Sequence, residues 1–153
     1  VAALTGICTH SSFHAEAPMR LEAAIAHGCK SKYLFDVEEN RITFMKLFYL
    51  ILKDLREGIA AETIAAKFHN TMLAVMLSVS RKLKAETGIN SVVLSGGSFQ
   101  NRYLLENALH MFKEQGFEVY AHEKVPTNDG GIALGQMAVA AKRRSEWQGG
   151  EQV

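Results

Sequence analysis

The pattern of apolar and polar positions predicts a chain with more helix than strand. Five segments are typical of helices, because their apolar residues recur at three- and four-residue steps or because helix-starting and helix-ending residues bound them. The predicted helices are Met19–His27, Met45–Glu57, Ala60–Ala85, Phe99–Phe112 and Ile132–Arg144. The third is the longest, and its apolar stripe indicates a helix that packs against the rest of the fold.

Short runs of β-branched, aliphatic and aromatic residues predict four strands between these helices. The predicted strands are Tyr33–Asp36, Arg41–Phe44, Ser91–Leu94 and Phe117–Tyr120. The first two would form a hairpin across a turn at Glu38–Asn40. We therefore expect one α/β domain over residues 1–145, followed by a flexible polar tail over residues 146–153.

Two glycine-rich turns follow the last two predicted strands. Gly96 and Gly97 come after the third strand, and the run Asn128–Gly131 opens the last helix. A strand, a glycine turn and a helix start together present backbone N–H groups and a positive dipole end to an anion. The two turns could line one crevice, which predicts a phosphate or nucleotide site. The alternative is a pair of tight turns, since neither motif is GxGxxG or a P-loop.

Three polar side chains at these turns are candidates for chemistry. Asp129 either caps a helix or holds a divalent cation beside a phosphate. Asn101 either reaches a ribose or carbonyl group or is simply exposed to solvent. Ser95 is discounted as a nucleophile, because the GxSxG context is absent and no histidine lies close to it in the sequence.

Composition and charge exclude several classes of protein. Hydrophobic residues make up 48% of the 153 residues, which is too many for a disordered chain. The formal net charge is +1, so no basic field indicates a nucleic-acid partner. No apolar run is long enough to span a membrane, and no signal peptide is recognisable. We therefore expect a cytoplasmic protein that binds neither membranes nor nucleic acid.

The cysteines and histidines do not predict a metal site of their own. Cys8 and Cys29 are isolated, which favours reduced thiols over a disulfide framework. The six histidines form no HxxH or HExxH motif, and the one pair four residues apart, His10 and His14, lies in a turn-like region rather than in a predicted helix. His69 lies on the apolar side of the longest predicted helix, where a hydrogen-bonded core histidine is the expected interpretation.

Two stretches, LSGGSFQNRYLLENAL and VPTNDGGIALGQMAVA, resemble the C-terminal end of the HypF family of carbamoyltransferases, which mature nickel–iron hydrogenases. The resemblance extends to VAALTGIC at the start of the chain, EAPMRLEA at Glu16–Ala23 and AAKFHNTM at Ala65–Met72. It implies the second lobe of a TsaD-like domain with the actin/Hsp70/sugar-kinase fold. Such a lobe is an α/β unit with a mixed sheet and predominating helices.

The resemblance also implies the residues of a ligand site. The implied nucleotide-binding residues are Gly96, Gly97, Asn101, Asn128, Gly130, Gly131 and Glu22. Glu22 would contact the ribose, with Glu16 as the alternative. Asp129 would bind a divalent metal near the phosphates, either Mg or Fe/Zn. The resemblance does not say which residue of this chain, if any, is catalytic.

The family's chemistry implies substrates and a partner. It uses carbamoyl phosphate and ATP, passes through carbamoyl-adenylate, and modifies the C-terminal cysteine of a HypE-type acceptor protein. The family's paired metal-binding histidines have no match here, so we expect the chain alone to lack transfer activity. The alternatives are a catalytically silent protein-binding or homodimerisation module and a TsaD-like tRNA threonylcarbamoyl transferase. The FQNR and NDGGIALGQ stretches favour HypF over the latter.

Overall fold

The computed structural model describes residues 1–38 and 41–149, with the backbone alone at 146, 148 and 149. The helices are α1 (Glu16–Ala23), α2 (Met45–Arg56), α3 (Ala61–Thr87), α4 (Arg102–Glu114) and α5 (Ile132–Gly149). The strands are β1 (Asp36–Glu38), β2 (Arg41–Thr43), β3 (Ser91–Leu94) and β4 (Glu118–Ala121). Short 3-10 turns at Gly97–Gln100 and Asp129–Gly131 precede α4 and α5.

The strands form two separate two-stranded sheets among the described residues. β1 pairs antiparallel with β2, whereas β3 pairs parallel with β4. The expected mixture of parallel and antiparallel pairing is therefore present, but it is divided between two sheets. The turn of the predicted hairpin includes residues 39 and 40, which lie outside the described residues.

The predicted helices differ from the observed ones at their ends, most clearly in the first and the fourth. The first begins at Glu16, so Pro18 lies within the first turn, where its missing N–H is not needed. It ends at Ala23, and the chain then leaves the helix to donate the Ala26 N–H to the Glu62 carbonyl at the start of α3. The predicted helix Phe99–Phe112 is interrupted at Asn101, whose extended backbone separates the 3-10 turn from α4.

The first predicted strand also differs from the structure, because Tyr33 is not part of β1. Its side chain is 2% exposed, and its N–H donates to the Thr71 hydroxyl on α3 at 2.8 Å. The Thr71 side chain thus accepts the Tyr33 N–H, which a neighbouring strand would otherwise have accepted.

Helix α3 is the centre of the hydrophobic core. Ile64, Ala65 and Ala66 near its start are fully buried, and Ile64 and Ala65 pack against the N-terminal segment, α1 and α2. Farther along, Leu73 packs into a second region with the sheet β3–β4 and with Phe112 of α4. The long helix predicted from its apolar stripe is therefore the element on which both ends of the lobe are assembled.

A polar cluster lies between α2 and α3. The Tyr33 hydroxyl donates to Asp54 Oδ2 at 2.7 Å, and the Lys67 ammonium donates to the same oxygen. That ammonium also lies 4.4 Å from the centroid of the Tyr33 ring. Burial by itself would raise the pKa of the Asp54 carboxyl, but the hydrogen bonds from Lys67 and Tyr33 hold that pKa below its usual value. Burial and the neighbouring carboxylate raise the pKa of Tyr33.

Helix α5 and one side of α2 remain largely uncovered. Met137 on α5 is 70% exposed, and Tyr49 on α2 is 68% exposed. No helix among the described residues is long and apolar enough to cross a bilayer. The backbone at 146–149, expected to belong to a tail, continues α5, whereas 150–153 lies outside the described residues.

Candidate functional site

The parallel pairing of β3 and β4 brings the two glycine loops to one edge of the sheet. In the register, Leu94 lies opposite Ala121, so the chain leaves both strands at the same end. Beyond the strands, the Gly96 N–H donates to the Thr127 carbonyl at 2.9 Å. This bond joins the first glycine loop to the residue just before the second. The two loops therefore lie side by side, whereas a ligand-binding crevice between them stays a prediction.

The first loop contains two glycines, Gly96 and Gly97. The backbone conformation requires glycine at position 96 but not at position 97. Gly96 has φ of 100°, a conformation that side chains with a Cβ rarely adopt. Gly97 lacks such a φ, and a Cβ built on it would meet nothing within 4 Å. No side chain caps the turn that starts at Gly97. The Gly97 side of the loop is therefore open to an approaching ligand.

The second loop is held by its own backbone and by Asn128. Asn128 Oδ1 accepts the Gly130 N–H at 3.0 Å, and the Asn128 carbonyl accepts the Gly131 N–H at 3.0 Å. A Cβ on Gly131 would lie 2.9 Å from the Pro126 carbonyl oxygen, so glycine is needed there for close packing.

Asp129 does not perform the capping role considered from the sequence, because Asn128 is the capping residue. The Asp129 side chain is exposed, and it has no hydrogen bond or ion pair with any described residue. Its carboxylate is thus available to a ligand that binds at the second loop.

Asn101 and Glu22 hold the start of α4. Asn101 Oδ1 accepts the Leu104 N–H at 2.8 Å, and Glu22 Oε1 accepts the Tyr103 N–H at 3.1 Å. These bonds satisfy N–H groups that the first turn of a helix leaves without partners. The interpretation of Asn101 as a solvent-exposed side chain is therefore wrong. Ligand contacts by Asn101 and Glu22 stay predictions, and both residues lie beside the first glycine loop.

Glu16, the alternative to Glu22, serves a different turn. Its buried carboxylate accepts the Ser12 hydroxyl at 2.8 Å and pairs with Arg20 at 2.6 Å. Hydrogen bonds from Ser12, strengthened by Arg20, lower the pKa of Glu16 despite its burial. Glu16 therefore has partners that hold the chain leading into α1.

His69 is the hydrogen-bonded core histidine expected from its position. It is 3% exposed, and its Nδ1 lies 2.8 Å from the Ala65 carbonyl oxygen. A carbonyl only accepts, so Nδ1 carries the hydrogen and Nε2 accepts the Asn101 amide N–H at 3.0 Å. Burial lowers the pKa of His69, which keeps the ring neutral. The ring thus orients the residue that caps α4.

The lowered pKa of His69 predicts a loss of stability in mild acid. The unfolded chain binds a proton near pH 6.5, whereas the folded chain binds it only at lower pH. The contribution of His69 is therefore complete above about pH 6.5 and is lost as the pH falls toward the folded pKa. Urea unfolding of wild type and His69→Gln should show a shallower pH dependence in the variant across about pH 7 to 5. His110→Gln, at an exposed site on α4, is the control, and equal slopes for all three proteins would contradict the prediction.

Ser95 and His122 form a pair that was missed from the sequence. The Ser95 hydroxyl oxygen lies 2.8 Å from His122 Nε2, although the residues are 27 positions apart. Each is the first residue after its strand, so the parallel register places them side by side. The sequence offered no signal for this pair, because the strand pairing itself is not visible in the hydrophobic pattern. No histidine lies close to Ser95 in the sequence, but His122 lies within hydrogen-bond distance in the structure, so that reason for discounting Ser95 does not hold.

The described residues supply the elements of a phosphate site but only part of a metal site. No group of three or more His, Cys, Asp or Glu side chains placed to hold a metal occurs among them. Asp129 would be a single ligand, so a metal would need further oxygens from phosphates or from elsewhere. The glycine loops fit a phosphate better, since the open side of Gly97 admits a close approach.

Comparisons with known proteins agree with this architecture. Residues 1–136 match the family described as carbamoyltransferase, Kae1-like domain, second subdomain. Carbamoyltransferase HypF of Rhodobacter capsulatus is 33% identical over 144 residues, covering 94% of this chain and 18% of the relative. A tRNA N6-adenosine threonylcarbamoyltransferase of Thermosipho melanesiensis is 31% identical over 87 residues, covering 56% of this chain and 27% of the relative.

A solved structure matches the fold closely. It is a crystal structure of full-length HypF in the phosphate- and nucleotide-bound form, with 42% identity and a TM-score of 0.86. The match covers 92% of this chain and 23% of that chain, so the present chain spans about a fifth of its HypF relatives. The chain belongs to the HypF carbamoyltransferase family, in which it corresponds to the second subdomain of the Kae1-like domain.

Proposed function

We propose that this chain is the nucleotide-facing lobe of a HypF-type carbamoyltransferase. The observation that carries the proposal is the bond from the Gly96 N–H to the Thr127 carbonyl, which joins two glycine loops at one strand edge. The first loop is open at Gly97, and the exposed carboxylate of Asp129 belongs to the second loop. A related structure with the same fold carries phosphate and nucleotide in its complete chain.

In this proposal the whole protein uses ATP and carbamoyl phosphate to form carbamoyl-adenylate in the cytoplasm. The carbamoyl group then passes to the C-terminal cysteine of a HypE-type acceptor, for hydrogenase maturation. The backbone N–H groups of Gly97 and its neighbours bind phosphate oxygens, because exposed N–H groups at a turn start attract anions. Asp129 provides one oxygen to a divalent metal that the nucleotide also binds.

The proposal predicts that Asp129 is essential for transfer. A HypF chimaera, in which this chain replaces the matching segment of the full-length HypF of known structure, should carbamoylate a HypE-type acceptor. Asp129→Ala should lower that rate by about 100-fold or more, a typical loss when one group that stabilises charge is removed. Mass spectrometry of the acceptor measures the transfer.

Glu123→Ala is the matched control, because Glu123 is an exposed carboxylate in the same loop. It should leave the rate unchanged. If Asp129→Ala transfers carbamoyl groups as fast as the parent chimaera, the assignment of Asp129 to the nucleotide and its metal is wrong.

A second candidate function, a protein-binding or homodimerising surface, rests on α2. Four apolar residues at helical spacing line its uncovered side: Met45, Phe48, Tyr49 and Leu52. Exposed apolar stripes of this kind mark surfaces that bury themselves against another protein. Sedimentation of the chain and of Tyr49→Lys tests this candidate, since association that the substitution abolishes supports it and a strict monomer opposes it.

A further inference from the structure

The pair formed by Ser95 and His122 has no structural task in the lobe. Both side chains are exposed, and their mutual hydrogen bond spans 2.8 Å. Apart from Ser95, no described residue hydrogen-bonds with the His122 ring. The pair neither fills a core nor caps a helix, whereas His69 lies in the core and Asn101 caps α4.

The alternation of side chains along the strands places this pair on the open face of the sheet. Leu94 is 2% exposed and faces the core, so Ser95 faces the opposite side with Val93, which is 67% exposed. His122 shares that side with Tyr120, which is 56% exposed. The pair therefore stands at the carboxyl end of two parallel strands, where ligands of α/β proteins commonly bind.

Ser95 also adjoins the first glycine loop, since it precedes Gly96 in the chain. A hydroxyl within hydrogen-bond reach of an imidazole is the arrangement that enzymes use for proton transfer. Among the described residues no third group orients the ring, so the pair is not a catalytic triad. The charged or titratable groups on the same face or in the adjoining loop are Glu118, Tyr120, Glu123, Lys124 and Asp129. None of them hydrogen-bonds with His122.

We propose that Ser95 and His122 remove the proton from the acceptor thiol during carbamoyl transfer, an inference that rests on the proposed function. A bond forms between the thiol sulfur and the carbamoyl carbon, while the bond from that carbon to the adenylate phosphate oxygen breaks. The nucleoside monophosphate leaves with that electron pair. The thiol proton passes to Ser95 Oγ as the serine proton passes to His122 Nε2. Imidazole suits this role, because it is the side chain that titrates nearest to neutral pH.

The test compares pH profiles of carbamoyl transfer in the HypF chimaera that contains this chain. His122→Gln should lower kcat by about 100-fold or more, the usual contribution of a general base, and should flatten the acidic limb of the profile. Ser95→Ala should lower kcat in the same direction, whereas the KM for ATP should not change in either variant. His110→Gln, at an exposed site that pairs with Glu114, should behave as wild type.

The outcomes separate the two proposals. If the parent chimaera is active and His122→Gln keeps its rate and its pH profile, the proton-transfer role is overturned and the proposed function stands. The other decisive result is a parent chimaera that folds with the same melting temperature as the unaltered full-length HypF but forms no thiocarbamate at any pH. That result overturns the proposed function, and the proton-transfer role with it. A loss of rate with an unchanged pH profile in His122→Gln would also overturn the role, since a merely structural residue behaves in that way.

Discussion

Phe112→Ala is expected to lower the free energy of unfolding by about 3–5 kcal/mol, the usual cost of deleting a buried phenyl group. Phe112 is 1% exposed and packs edge-to-face on Phe117, with ring centroids 5.5 Å apart. It joins α4 to the strand β4 and to Leu73 of α3. The cavity left by alanine cannot be filled by water at a favourable free energy, because its walls are apolar.

Urea unfolding followed by circular dichroism measures this loss. Phe13→Ala is the control, since the Phe13 side chain is 55% exposed and its removal leaves no cavity. Similar losses of stability for the two variants would show that the packing around Phe112 does not hold the lobe together. Because α4 carries Asn101 at its start, a loosened α4 would also disturb the first glycine loop.

Asp54→Ala is the second substitution with a large expected effect. It removes the carboxylate that both the Lys67 ammonium and the Tyr33 hydroxyl bind. The Lys67 side chain is only 20% exposed, so water replaces the lost partner poorly. Removing one partner of a buried ion pair commonly costs about 3–5 kcal/mol, because the remaining charge has lost its solvent and its partner.

An exposed ion pair provides the control for this substitution. Asp36 pairs with Lys46, with exposures of 33% and 60%, and Asp36→Ala should cost at most about 1 kcal/mol. The double variant Asp54→Leu/Lys67→Met should recover much of the stability lost by Asp54→Ala, since it removes both charges. If Asp54→Ala and Asp36→Ala have the same effect in urea unfolding, the cluster contributes no more than a surface pair.

The helices were predictable because their signals are local. The apolar stripe of α3 recurs at helical spacing, so its position was found to within a few residues. The ends were less predictable, since they depend on contacts from distant parts of the chain. Ala26 leaves α1 to bond with Glu62, and Asn101 interrupts a continuous apolar pattern because His69 and Leu104 bind its side chain.

The candidate site was predictable only where a loop has a recognisable sequence pattern. Glycines after strands indicated both loops, and their shared edge follows from the parallel register of β3 and β4. The Ser95–His122 pair could not be found in that way. The two residues meet only because of how β3 and β4 are aligned, and no pattern in the sequence reports that alignment. The partners of Glu22 and Asn101 were equally hidden from the sequence. Tyr103 on α4 binds Glu22, and His69 on α3 binds Asn101, and both contacts join distant parts of the chain.

Titration of the isotope-labelled chain with ATP and Mg²⁺, followed by NMR of its glycine amides, tests the central claim most directly. We predict that the amide signals of Gly96, Gly97, Gly130 and Gly131 shift together, and that Gly97→Ala abolishes the shifts. The variant should remain as stable as wild type to within about 1 kcal/mol, because a Cβ at Gly97 meets no atom within 4 Å. Loop signals that do not move with nucleotide, or a Gly97→Ala chain that responds as wild type does, would contradict a nucleotide site at these loops.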